Sequence, residues 1–178
     1  LEHLIKGTTL AQIFDTYFRN PQWQTEITKG LNAWEAQMRY EFYPGALDLL
    51  HDLKRNGVKC AVVTSSNIPK MESVRRQIEH FDALFDKVLT AEDFAASKPA
   101  PDCYLLGAKV FGADIDECVV FEDAYTGLQA GMDSGIFTIG ITTGHTREEM
   151  ADRCNYVIES YEGLTYEGLV RILGENFV

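Results

Sequence analysis

Three short segments place hydroxyls, an ammonium and paired carboxylates just behind apolar runs. Ala61-Val62-Val63 is followed by Thr64, Ser65, Ser66 and Asn67. A loop after the apolar stretch near 87–90 reads Ala96-Ser97-Lys98-Pro99-Ala100-Pro101-Asp102. Val119-Val120-Phe121 is followed by Glu122 and Asp123, then Ala124-Tyr125-Thr126-Gly127. A hydroxyl and free backbone N–H groups at a strand end, leading into a helix, form an anion cradle. A lysine fixed between a serine and a proline adds a point charge. Two adjacent carboxylates can hold a hard divalent cation. Brought to one crevice, these groups suit phosphoryl transfer, in which the protein chiefly positions the phosphoryl group and neutralises its charge. Taken singly, each has an ordinary reading: helix cap, surface turn, complement to a helix dipole. In this order, each behind its own apolar run, they are consistent with one site.

The elements that must position them follow from periodicity. From about Pro44 onward, short apolar runs at 58–63, 87–90, 119–121, 136–141 and 156–158 alternate with amphipathic stretches. Those stretches lie at 45–55, 69–80, 101–112, 124–134, 146–153 and 165–173. Strands apolar on both faces and separated by helices predict a doubly wound α/β fold with a parallel sheet. Ligands in such sheets bind beyond the carboxyl ends of the strands, where the three segments fall. Before Pro44 the pattern is helical. Leu10, Ile13, Phe14, Tyr17 and Phe18 mark one helix. Trp23, Ile27, Leu31, Trp34, Met38 and Phe42 mark a second, with Pro21 in its first turn. The spacing predicts one long helix from 21 to 42, with Trp23 and Trp34 in its packed face. The expected organisation is a helical part over 1–42 and an α/β core over 43–178.

Composition narrows the function classes. The chain has 178 residues, 46% of them hydrophobic, and a net charge of −11. A chain of this size buries roughly 70% of its unfolded surface, so it can hold a full core. The charge disfavours sequence-independent nucleic-acid binding, and no apolar run approaches the ~20 residues of a membrane span. Neither GxGxxG nor GxxxxGK occurs, which argues against dinucleotide and P-loop sites. Cys60, Cys103, Cys118 and Cys154 form no CxxC pair; Cys60 and Cys118 read as core, and a reduced, cytoplasmic setting is the expectation. His145 reads as a surface histidine, and Tyr125 as either a crevice or a packing residue.

Val62-Val63-Thr64-Ser65-Ser66, Ser97-Lys98-Pro99-Ala100-Pro101 and Phe121-Glu122-Asp123, with Thr126-Gly127 and Ala130-Gly131, resemble three motifs of the haloacid dehalogenase-like hydrolases. The resemblance is greatest to the β-phosphoglucomutase-like phosphatases and mutases, which carry a small helical cap. It implies an aspartyl-phosphate mechanism with Mg²⁺ as cofactor. Thr64 would bond the transferring phosphoryl group, with help from the backbone around Ser65. Lys98 would pair with the nucleophile and the phosphate. Asp123, with Glu122, would hold Mg²⁺ directly or through water. Residues 1–42 would be part of the cap, and Lys6-Gly7-Thr8-Thr9 would meet the substrate.

One departure is large. The family's Asp-x-Asp-Gly motif, which supplies the nucleophile and a central strand, has no counterpart before Pro44; Asp114-Ile115-Asp116 lies in the wrong place. The expectation is that a segment of ~40 residues, room for a strand and one or two helices, precedes Leu1. Two further departures concern the substrate. Leu10 stands where the mutases carry an arginine for a second phosphate, and Asn67 where they carry a lysine. Both favour a phosphatase of small phosphate monoesters, with sugar phosphates as the expected class, over a hexose-phosphate mutase or a non-catalytic relative. A monomer is expected, because a cap must open and close.

Overall fold

The computed structural model describes residues 8–176. Local signals start most of its helices. Thr9 caps α1 (Leu10–Tyr17) in a reciprocal capping box with Gln12, and Asn20 with Pro21 opens α2 (Pro21–Glu35). A left-handed Gly45 precedes α3 (Ala46–Arg55), where a side chain would run into the backbone at Tyr161 and Glu162. β1 (Ala61–Val63) leads to α4 (Ile68–Gln77), capped by Asn67, and then to the short α5 (Phe81–Leu84). β2 (Lys87–Leu89), α6 (Asp102–Phe111), β3 (Val119–Glu122) and α7 (Tyr125–Ser134) follow. The chain ends with β4 (Phe137–Ile141), α8 (Arg147–Met150), β5 (Tyr156–Ile158) and α9 (Tyr166–Asn176). No helix among the described residues is long and apolar enough to cross a membrane.

All strand pairings are parallel, as the apolar runs predict, but they form two sheets. β1 pairs with β2, Val62 opposite Val88. β4 lies between β3 and β5, with Val120 opposite Thr138 and Gly140 opposite Val157. Every residue of β4 is buried. On one face, Leu49 and Leu53 of α3 and Leu169 of α9 pack with Phe137, Ile139, Ile141 and Ile158. Elsewhere Cys103, Tyr104 and Ala108 of α6 pack with Val120, Ala130 and Ile136, and Val63 of β1 rests on the same cluster. The two sheets therefore share a core although no backbone ladder joins β1 to β3. Burial of such aliphatic side chains, at ~1.5–3 kcal/mol each, is the main source of cohesion.

Two expectations need correction, and a third is refined. The second helix ends at Glu35, short of Phe42. Tertiary bonds replace helical ones there: Gln77 donates to the Met38 carbonyl (2.7 Å), Tyr40 N–H donates to Gln77, and the Tyr40 hydroxyl donates to the Glu35 carbonyl (3.0 Å). The two tryptophans are not in a packed face: Trp23 is 57% and Trp34 61% exposed. α2 rests on α4 through the edge that buries Glu35, and the indoles lie off that edge. Cys60 and Cys118 pack against the core but are half-buried at its margin; Cys103 and Cys154 are the buried thiols.

Candidate functional site

The carboxyl ends of β1 and β3 meet around one ammonium. Lys98, only 5% exposed, donates from Nζ to Glu122 Oε2 (2.6 Å) and to the carbonyl of Val63, the last residue of β1 (3.4 Å). Glu122 is the last residue of β3. Its carboxylate takes four donors in all. Oε2 also accepts the Tyr104 hydroxyl (2.6 Å), while Oε1 accepts the backbone N–H groups of Asp123 and Ala124 (2.9 Å each). A buried carboxylate needs this degree of satisfaction. Glu122 is thus a structural anion that fixes Lys98 and the turn into α7.

Tyr104 was not foreseen. It lies in α6, and nothing in its sequence neighbourhood marks it. Burial first, and then the Glu122 charge, push its hydroxyl well above the ordinary range. It therefore remains a donor throughout the physiological range, and the Lys98 ammonium sits 4.8 Å from its ring centre. Gly127, one turn into α7, is required because a Cβ there would occupy the space of the Glu122 side chain. Tyr104→Phe should leave Glu122 Oε2 with one donor fewer and cost about 1–3 kcal/mol. Urea unfolding measures it; a loss below 0.5 kcal/mol, about the low end for one hydrogen bond, would show that this bond contributes little.

The remaining sequence-derived residues gather on the same cavity, an open cleft of about 770 Å³. Thr9, Thr64, Ser65, Asn67, Lys98, Glu122 and Asp123 all line it, and Lys6 lies outside the described residues. Thr64 Oγ1 accepts the Ser66 N–H (3.0 Å), which leaves its proton for an anion. Asp123 Oδ2 accepts the hydroxyl of Thr143 (2.7 Å), a partner from the loop after β4 that the sequence did not single out. Asn67 and Thr9 have structural duties as well. Asn67 Oδ1 caps α4 by accepting the Lys70 N–H (3.0 Å), and Thr9 caps α1 and receives the Ser97 hydroxyl (3.2 Å). His145 is not a plain surface residue: its ring stacks on Tyr125 at 3.9 Å, with Arg153 over the same Tyr125 ring. Tyr125 is thereby a packing residue.

The charge of the cleft is informative. Its lining holds two lysines, Lys70 and Lys98, against four carboxylates, Glu35, Glu92, Glu122 and Asp123. A phosphate ester does not enter a wall of that sign without a further cation. Among the described residues no three metal-binding side chains cluster. The donor chemistry still suits a hard divalent ion of the Mg²⁺ type. Such an ion keeps several waters and takes one or two carboxylates together with phosphate oxygens.

Comparison with known proteins places this site in a family. The chain belongs to the haloacid dehalogenase-like hydrolases, whose family profile matches residues 2–141. Within them it falls in the β-phosphoglucomutase-like subgroup. It is similar to hexitol phosphatase A of Escherichia coli (strain K12), 32% identical over 165 residues, covering 93% of this chain and 71% of that protein. The CbbY structure from Rhodobacter sphaeroides in complex with xylulose-1,5-bisphosphate superposes with a TM-score of 0.79 at 25% identity. That match covers 94% of this chain and 80% of the other. β-Phosphoglucomutase from Clostridium difficile gives 0.81 at 20% identity, covering 99% and 82%, a likeness of fold alone. The chain spans between 10% and 60% of the length of several other curated relatives that it matches.

Proposed function

We propose that this chain forms most of a Mg²⁺-dependent phosphatase of small phosphate monoesters, with sugar or polyol phosphates as the substrate class. The observation that carries the reading is the convergence of Thr64, Lys98 and Asp123 on one negatively lined cleft at the strand ends. The relatives' names agree with it. Residues 1–42 act as part of a helical cap and 43–178 as the core. In solution the protein is a cytoplasmic monomer with no membrane or nucleic-acid partner.

Each residue then has a task. Thr64 and the backbone about Ser65 hold the phosphoryl oxygens, and Lys98 neutralises part of their charge. Lys98 also fixes the place of an attacking carboxylate, since it reaches both strand ends. Asp123 would hold Mg²⁺, positioned by Thr143. The metal, when bound, offsets the phosphate charge that the cleft otherwise repels. Glu122 and Tyr104 keep Lys98 in place. The nucleophilic aspartate comes from a segment outside this sequence, entering as a strand between β1 and β3. Both of those strands have a partner on only one side among the described residues.

The test is phosphate release. The full-length protein is incubated with Mg²⁺ and a panel of hexose, pentose and hexitol phosphates. Release of inorganic phosphate that EDTA abolishes is the expected result. No release from any ester overturns the phosphatase reading. An isomeric sugar phosphate without release would establish a mutase instead, although Leu10 and Asn67, both on the cleft wall, offer no charge for a second phosphate.

A further inference from the structure

Across the cleft wall from α4, helix α2 buries a single residue, and that residue is a carboxylate. Glu35 Oε1 lies 3.1 Å from Lys70 Nζ, and the two side chains are 10% and 29% exposed. Both line the same cleft as Thr64 and Lys98, next to Leu31, Asn67 and Ser66. An ion pair of this depth gives little net stability, because desolvation offsets much of the attraction. Its place on the wall, with hydroxyl and amide groups around it, suits recognition. A paired carboxylate and ammonium together present acceptors and donors with no net charge.

We propose that Glu35 and Lys70 are specificity-determining residues that bind the hydroxyls of the substrate's non-phosphorylated end and exclude a second phosphate there. The inference rests on the phosphatase reading and deepens it: the substrate is a monophosphate of a neutral polyhydroxy compound. The charge balance supports this. Lys98 is already matched by Glu122, and Lys70 by Glu35. A second phosphate at the Lys70 end would have to displace Glu35 and leave a buried carboxylate unpaired, which is costly. Sugar hydroxyls can instead donate to Glu35 and accept from Lys70 without breaking the pair.

The experiment compares two ligands by calorimetry on the full-length protein with Mg²⁺: a hexitol monophosphate and the corresponding bisphosphate. Wild type is expected to bind the monophosphate more tightly. Glu35→Gln keeps the shape and frees the Lys70 charge, so the affinity ratio should move at least tenfold toward the bisphosphate. Lys70→Gln, at the more exposed partner, should move the ratio the other way, and it keeps the test open if Glu35→Gln folds poorly. A pair that merely props α2 on α4 would weaken both ligands alike. An unchanged ratio in both variants, or no binding of either ligand by wild type, overturns the proposal. Phosphate release is read in the same samples. A shifted ratio without any hydrolysis leaves the specificity assignment standing and sinks the phosphatase reading instead.

Discussion

Lys98→Ala in the full-length protein should lower kcat/KM by about 10³-fold or more, in line with removing a charge that acts on the transferring phosphoryl group. It should also cost stability. Lys98 and Glu122 are both at least nine-tenths buried as side chains and lie 2.6 Å apart. Removing one partner of a buried pair leaves the other charge uncompensated, at about 3–5 kcal/mol. The two losses are separable. In a Lys98→Met/Glu122→Gln double variant, neither buried charge remains. Most of the stability should return, because a buried pair replaced as a unit is close to neutral, while activity stays lost. Urea midpoints and steady-state kinetics on wild type, both singles and the double complete the cycle. Activity within tenfold of wild type in the Lys98→Ala protein would remove Lys98 from the phosphate site.

The second large effect concerns the two sheets. If the strand proposed to enter between β1 and β3 is supplied by sequence before Leu1, the protein expressed with it should gain about 4 kcal/mol or more and melt roughly 10 °C higher than residues 1–178 alone. A strand entering between β1 and β3 would complete two ladders at ~0.5–1.5 kcal/mol per net hydrogen bond. It would also cover apolar surface, and it would close edges that otherwise invite aggregation. Hydrogen exchange gives the location. Amides of Val63 and Phe121, which alternate away from β2 and β4 and face the junction, should become slow. If the added segment protects only the outer edges at β2 or β5, the nucleophile does not enter beside Lys98, and the proposed mechanism fails with it.

Much of the core was legible because parallel sheets write themselves as short apolar runs between helices. The site was legible for the same reason. Thr64, Lys98, Glu122 and Asp123 each sit just behind such a run, and the fold brings the strand ends together. What escaped the sequence are relations across the chain. Tyr104 reaches Glu122 from 18 residues away, and Thr143 reaches Asp123 from 20. No local pattern records either meeting. Nor does periodicity reveal that the Glu122 carboxylate is saturated by four donors. The stop of α2 at Glu35 escaped for a related reason. The apolar spacing runs on through Phe42, but Gln77 captures the backbone at Met38 and Tyr40 and draws it out of the helix. Trp23 and Trp34 keep the helical period that suggests burial, yet the edge that packs on α4 is the one with Glu35. Leu10 and Asn67 do line the cleft, so their identities bear on what it admits.

Three of the bonds joining the N-terminal segment to the rest of the molecule share a property. Gln77 grips the carbonyl of Met38 and the N–H of Tyr40, and Gln12 donates to the carbonyl of Lys98 (3.3 Å). In each, at least one partner is the main chain, which every amino acid carries. The surface facing the substrate can therefore change residue by residue while its mooring persists. A lineage could exchange Leu10, Leu31 or Glu35 and acquire a new diet without relearning how to fold. Because Gln12 holds the backbone of Lys98 itself, any such change in posture is also felt at the phosphate anchor.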